Sequence, residues 1–144
     1  MSLAMSVEQR EAFLADLHVG VLSVVEDGSR APLTVPMWYR YEPGGLVSFV
    51  TGDGSRKVRA LRAAGRCSLC AQDEGLPYRY VTVEGPVVAF EPVDEAERRA
   101  IARRYLGDER GDAYIAATPD EAGASVMVRM RPEHWLSADY SKLG

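Results

Sequence analysis

The chain has 144 residues, with 17 Lys and Arg against 21 Asp and Glu and a formal net charge of −4. Residues 1–144 are expected to form a single domain, and 47% hydrophobic with 26% charged residues is an ordinary globular composition. The acidic balance argues against a dedicated nucleic-acid binder, and no apolar run approaches the ~20 residues of a membrane span.

Met1–Met5 lacks the charged and apolar regions of a secretory signal. It is expected to be disordered or vector-derived, with Met5 the natural start, and the protein to be cytoplasmic. Ser6-Val7-Glu8-Gln9 is a capping box. It predicts a helix to about Leu17 with Val7, Phe13, Leu14 and Leu17 on its apolar stripe. His18–Val25 reads as a strand, Asp27-Gly28 as a hairpin turn, and Ala31–Tyr41 as a second strand. Pro32 and Pro36 within it demand an edge or bulged position.

Leu46–Thr51 reads as a third strand. It runs through the turn Gly52-Asp53-Gly54-Ser55 into a basic helix from Arg56 to about Ala64, with Ser55 as N-cap. Arg56 and Lys57 stand where the helix dipole disfavours cations and attracts anions. A phosphate held by an Arg fork and a Lys point charge would relieve that conflict. The alternative is a solvated basic face, with Arg56, Arg59, Arg62 and Arg66 outward and Val58 and Leu61 inward. A local basic cluster on an acidic chain favours a small anionic ligand.

Arg66–Gln72 reads as the next strand and carries both cysteines, Cys67 and Cys70. Three positions apart on a strand they face opposite ways, so buried free thiols are expected. With only His18 and His134 available no metal site is expected. Tyr78–Phe90 is a long strand with a kink or bulge at Gly85-Pro86. Pro92–Leu106 reads as a helix ended by Gly107, with Asp94/Arg98 and Glu95/Arg99 as i,i+4 pairs. Asp112–Ala117 reads as a short helix, and Ala124–Arg131 and Glu133–Tyr140 as strands. Roughly six strands with short connections and no βαβ rhythm point to an antiparallel barrel with peripheral helices.

Standard catalytic motifs are absent from the sequence, and no catalytic residue is assigned. A protein whose cofactor carries the chemistry needs few such residues. It needs a phosphate clamp, a slot for a ring system and an apolar substrate pocket. The slot falls at Val35–Tyr41, where Pro36 breaks ladder pairing. Trp38 and Tyr39 point to opposite faces, so only one of them can line a given pocket; an aromatic strand packed on the core is the alternative. Tyr78 and Tyr80 share a face and suit a pocket mouth, a dimer contact or a cross-strand packing pair.

Taken in order, four segments resemble the pyridoxamine 5′-phosphate oxidase-like, split β-barrel family of flavin and deazaflavin oxidoreductases. They are Gly20–Val25 with Asp27-Gly28; Pro36-Met37-Trp38-Tyr39; Val50-Thr51 leading to Ser55-Arg56-Lys57-Val58-Arg59-Ala60-Leu61-Arg62; and Val81–Pro86. The resemblance covers about Val7 to Asp139. It implies a mainly β, α+β fold: a split antiparallel β-barrel of FMN-binding type with peripheral helices. It implies a homodimer with two cofactor sites at the subunit interface. Pro36, Met37, Trp38, Tyr39, Val50 and Thr51 would hold the ring, and Ser55, Arg56, Lys57 and Arg59 the phosphate. Tyr78, Tyr80 and Trp135 would complete the pocket of the other subunit.

The Ser-Arg-Lys-x-Arg form is unlike true pyridoxamine phosphate oxidase, as is the lack of a long C-terminal segment. The Arg- and Ala-rich chain is more similar to the actinobacterial branch, many of whose members resemble users of coenzyme F-420. The implied activity is hydride transfer between coenzyme F-420, or next FMN, and a small unsaturated or quinone-like substrate. The alternative is a non-catalytic carrier of a cofactor, haem or another tetrapyrrole.

Overall fold

Gly85 marks the point about which the sheet curls. The computed structural model describes residues 2–120 and 123–143. Their elements are α1 (Val7–Ala15), β1 (Gly20–Val24), β2 (Leu33–Met37), β3 (Val47–Gly52), α2 (Arg56–Ala64), β4 (Arg66–Asp73), β5 (Arg79–Glu91), α3 (Glu95–Leu106), α4 (Asp108–Ala117), β6 (Ser125–Met130), β7 (His134–Asp139) and a closing 3-10 turn, Tyr140–Leu143. The seven strands pair antiparallel in the order β2-β1-β4-β5-β6-β3, with β7 on β5.

The 13-residue β5 belongs to both halves of this sheet. Arg79–Glu84 pairs with β7, and Val87–Glu91 pairs with β6 after a register shift between Val87 and Ala89. At the changeover a Cβ on Gly85 would lie 1.8 Å from the Arg131 carbonyl oxygen. Only glycine lets the two backbones pass so closely. The free ends then approach one another, since Arg40 and Ser48 exchange both backbone hydrogen bonds at 2.8 and 2.9 Å. The result is the expected split barrel with helices outside it. Leu22, Phe49, Leu69, Val81, Val83 and Val128 fill it, and α2 covers one end with Val58, Ala60 and Leu61.

Sequence punctuation placed several elements well. Ser6 and Gln9 form the reciprocal capping box. Ser55 caps α2, and Gly65 ends it at φ 70°. Pro36 lies in β2, which pairs with β1 alone among the named strands. Cys67 is buried and Cys70 half-buried on the opposite face of β4, both as free thiols.

Other expectations need correction. Leu3–Met5 is docked rather than disordered: Leu3 accepts from the Asp139 amide at 2.8 Å, and the Met5 amide donates to Ser137 Oγ at 3.0 Å. Helix α1 ends at Ala15, and Val7 and Leu17 are exposed; His18 stacks on Phe13 at 4.3 Å and takes the place expected for Leu17 at the end of the stripe. The hairpin expected at Asp27-Gly28 forms, with β1 and β2 antiparallel, but its loop runs over residues 25–32. The Asp27 carboxylate folds this loop by accepting from the Ser29 amide and hydroxyl.

The expected helical ion pairs also exchange partners. Asp94 caps α3 by accepting from the Ala96 amide, Arg98 pairs with Glu95, and Arg99 reaches across to Asp112. No helix among the described residues is long and apolar enough to cross a membrane.

Candidate cofactor site

A cavity of about 500 Å³ lies where the ends of β2 and β3 meet α3 and α4, within the ~300–1,000 Å³ range of small-ligand sites. Pro36, Met37 and Trp38 form one side and Val50, Thr51 and Gly52 another. The helices contribute Arg98, Ile101, Ala102, Tyr114 and Thr118, and Asp120 and Ser125 close the rim. Five of the residues expected to hold a ring therefore come together: Pro36, Met37, Trp38, Val50 and Thr51.

Tyr39 does not join them. Strand alternation turns it inward, where it is 0% exposed and its hydroxyl donates to the Leu14 carbonyl at 2.7 Å. Burial pushes its phenol well above the ordinary tyrosine range. Trp38 faces the cavity with Tyr105 parallel to it, ring centroids 5.0 Å apart and planes 4° apart. Tyr114 lies 5.6 Å from Trp38 at 55°. The Tyr105 hydroxyl accepts from the Tyr39 amide at 3.1 Å and donates to the His18 carbonyl at 2.6 Å. Helix α3 thus fixes the backbone that carries Trp38.

The basic segment begins next to the cavity but does not line it. Gly52, a lining residue, accepts from the Ser55 amide at 3.1 Å. Ser55 Oγ in turn accepts from the Val58 amide, and Arg59 Nη1 donates to the Gly54 carbonyl at 2.8 Å. Arg56 and Arg59 line a separate hollow of about 490 Å³ together with Glu26 and Asp27. The Arg56 fork is already occupied by Glu26, with Nε to Oε2 at 2.8 Å. Lys57 forms no ion pair among the described residues.

Within one chain Tyr78, Tyr80 and Trp135 lie away from the cavity. Tyr78 packs 5.9 Å from Tyr80 and 5.7 Å from Tyr140. Trp135 lies under the Arg10 guanidinium at 4.7 Å and edge-on to Tyr41. The helical wall was missed from the sequence altogether. Arg98, Tyr114, Thr118 and Asp120 carry no local motif, and only the packing of α3 and α4 over β2 brings them to the cavity.

Outside the barrel, Pro36, Val21, Cys70, Thr82 and Leu136 stand in register across β2, β1, β4, β5 and β7. Val21 and Leu136 are exposed. This mostly apolar row runs from the cavity rim at Pro36 across the sheet.

The sequence signature of pyridoxamine 5′-phosphate oxidase matches residues 6–138. The chain belongs to the pyridoxamine 5′-phosphate oxidase family. Its curled antiparallel sheet with four helices is the split barrel of that flavin-binding family. An F420 reductase superposes with a TM-score of 0.71 at 25% identity, over 88% of this chain and 94% of that one. A conserved hypothetical protein from Mycobacterium tuberculosis gives 0.77 at 25% identity, over 99% and 90% of the two chains. A FAD-binding protein from Mesorhizobium loti gives 0.65 at 20% identity over 92% and 93%, and shares the fold. No curated protein matches the chain.

Proposed function

We propose that this member of the pyridoxamine 5′-phosphate oxidase family is a homodimeric oxidoreductase that uses a flavin-type cofactor, coenzyme F-420 first and FMN next. The observation that carries the reading is the cavity at the free ends of β2 and β3, joined through Gly52–Ser55 to Lys57. The likeness to an F420 reductase at 25% identity supports the deazaflavin.

The residues present fit such a group. Because β2 pairs only with β1 among the named strands, backbone groups on its other edge are available to a heterocycle's nitrogens and carbonyl oxygens. Pro36 removes one competing donor. Met37, Trp38 and Val50 offer apolar and aromatic surface to a flat ring. Lys57 and Arg59 offer positive charge near the N-terminus of α2, where a phosphate is favoured.

When bound, the cofactor supplies a two-electron hydride carrier. The chain's own contribution is to position the ring and exclude water from its substrate-facing side. A second copy would cover the outer row from Pro36 to Leu136, and Tyr78 and Tyr80 would approach the neighbouring site.

Parallel titration of FMN, FAD, haem and coenzyme F-420, with light scattering for mass, tests the reading. Selective deazaflavin or FMN binding by a dimer is expected. Binding of none of the four would overturn it. Tight binding with no oxidation of the reduced cofactor by any of a broad panel of acceptors would assign a carrier instead.

A further inference from the structure

Among the described residues Arg98 is the sole charged side chain in the interior, at 9% exposure. A buried cation is costly unless its partners compensate it. Glu95 does so from the rim: Arg98 Nε donates to Oε1 at 2.9 Å and Nη2 to Oε2 at 3.3 Å. Glu95 itself is more than half exposed and sits in the first turn of α3, where the helix dipole supports a carboxylate on its own. The remaining nitrogen, Nη1, meets Thr118 Oγ1 at 3.3 Å. Thr118 spends its proton on the Tyr114 carbonyl at 2.7 Å, so it can only accept from Arg98. Nη1 carries two protons and has this one acceptor among the described residues.

Joining α3 to α4 does not require Arg98. Asp112 of α4 already binds Arg99 at 2.7 Å and Arg103 at 2.8 Å. Gly111 lets the helices touch so closely that a Cβ there would lie 2.7 Å from Arg103 Cα. What distinguishes Arg98 is that it and Thr118 line the cavity beside Trp38 and Tyr114. Asp120, the carboxylate on the same rim, is turned to the Ser125 amide at 3.0 Å.

We propose that this helical wall is a substrate subsite for an aromatic or conjugated carboxylic acid. Its carboxylate binds Arg98 Nη1 beside Thr118, and its flat body lies against Tyr114, leaving Trp38 to the cofactor ring. A guanidinium recognises a carboxylate by charge and by directed N–H donors together. That the bound acid is a substrate rests on the oxidoreductase reading; the subsite itself rests on the cavity.

The test titrates purified protein, without added cofactor, with 2-naphthoate and with its neutral counterpart 2-naphthalenemethanol. The acid is expected to bind about tenfold tighter or better, as a charge-assisted hydrogen bond in a partly desolvated site implies. Arg98→Met removes that preference while leaving the alcohol's affinity in place. Glu95→Gln, at an exposed position, strengthens the acid several-fold and leaves the alcohol unchanged, because it frees Arg98 from its neutralising partner. Should Arg98→Met fail to fold, Glu95→Gln decides alone.

Equal affinities, no binding of either probe, or an acid preference that Glu95→Gln leaves unchanged or lowers would overturn the proposal. Flavin or deazaflavin binding without acid preference sinks the subsite and spares the oxidoreductase reading. Acid preference without binding of any flavin or deazaflavin does the reverse.

Discussion

Arg56 and Glu26 form a two-bonded ion pair between the first residue of α2 and the loop after β1, with Nε to Oε2 at 2.8 Å. The Arg56 hydrogen bond, followed by burial acting against it, holds the Glu26 carboxyl below the usual carboxylate range. Arg56 therefore meets any phosphate with its charge already matched.

The proposed phosphate site therefore relies on Lys57 and Arg59 rather than on Arg56. Lys57→Ala is expected to weaken FMN or coenzyme F-420 by roughly tenfold or more, the scale of one charge-assisted hydrogen bond. It should leave phosphate-free riboflavin unaffected and the melting temperature unchanged. Equal losses for riboflavin and FMN would place the phosphate elsewhere.

Tyr105 tests the support of the cavity wall. Tyr105→Phe keeps the ring beside Trp38 but leaves the Tyr39 amide and the His18 carbonyl without their hydroxyl partner. A loss of about 1–3 kcal/mol in urea unfolding is expected. Ligand affinity at the cavity should fall with it, since the backbone that carries Trp38 loses its hydroxyl anchor.

Gly85 tests the curl of the sheet. With the Arg131 oxygen 1.8 Å from where a Cβ would stand, Gly85→Ala should cost more than about 4 kcal/mol or prevent folding, as overpacking against backbone does. Gly28→Ala meets nothing within 4 Å and should stay within about 0.5 kcal/mol of the parent. Urea midpoints of the two variants give the comparison directly.

Asp112 makes an acid-sensitive clip between α3 and α4. Hydrogen bonds from Arg103 and then Arg99 hold its carboxyl at about 2, against an ordinary value of 3.8. A depressed carboxylate contributes stability that is present above the unfolded value and is lost as pH falls through the folded one. Asp112→Asn should therefore be less stable than the parent at pH 7, with the difference shrinking between about pH 4 and 2. A difference that stays constant over that window would show that the two arginines do not act on Asp112 through its charge.

Much of the local architecture was legible from neighbouring residues. Ser55 and Gly65 bracket α2 because a hydroxyl satisfies the orphan amides at one end and a glycine accepts positive φ at the other. Pro36 marked an edge because it offers no ladder donor. Arg98 shows the opposite case. Asp94 stood at the right helical spacing to pair with it, yet Asp94 is spent on the Ala96 amide and Arg98 turns inward to Glu95 and Thr118. Spacing along a helix says which side chains are near, not which partner the rest of the chain presents.

By itself the sequence determined the caps, the edge or bulged strand and the alternation that sends Trp38 and Tyr39 to opposite faces, though not which of the two is buried. These depend on backbone hydrogen bonds and side-chain direction within a few residues. Only the tertiary structure decided the cavity, the burial of Arg98 and the commitment of Arg56 to Glu26. Each joins residues distant in the chain, and their meeting depends on how the sheet curls at Gly85 and how α3 packs over β2.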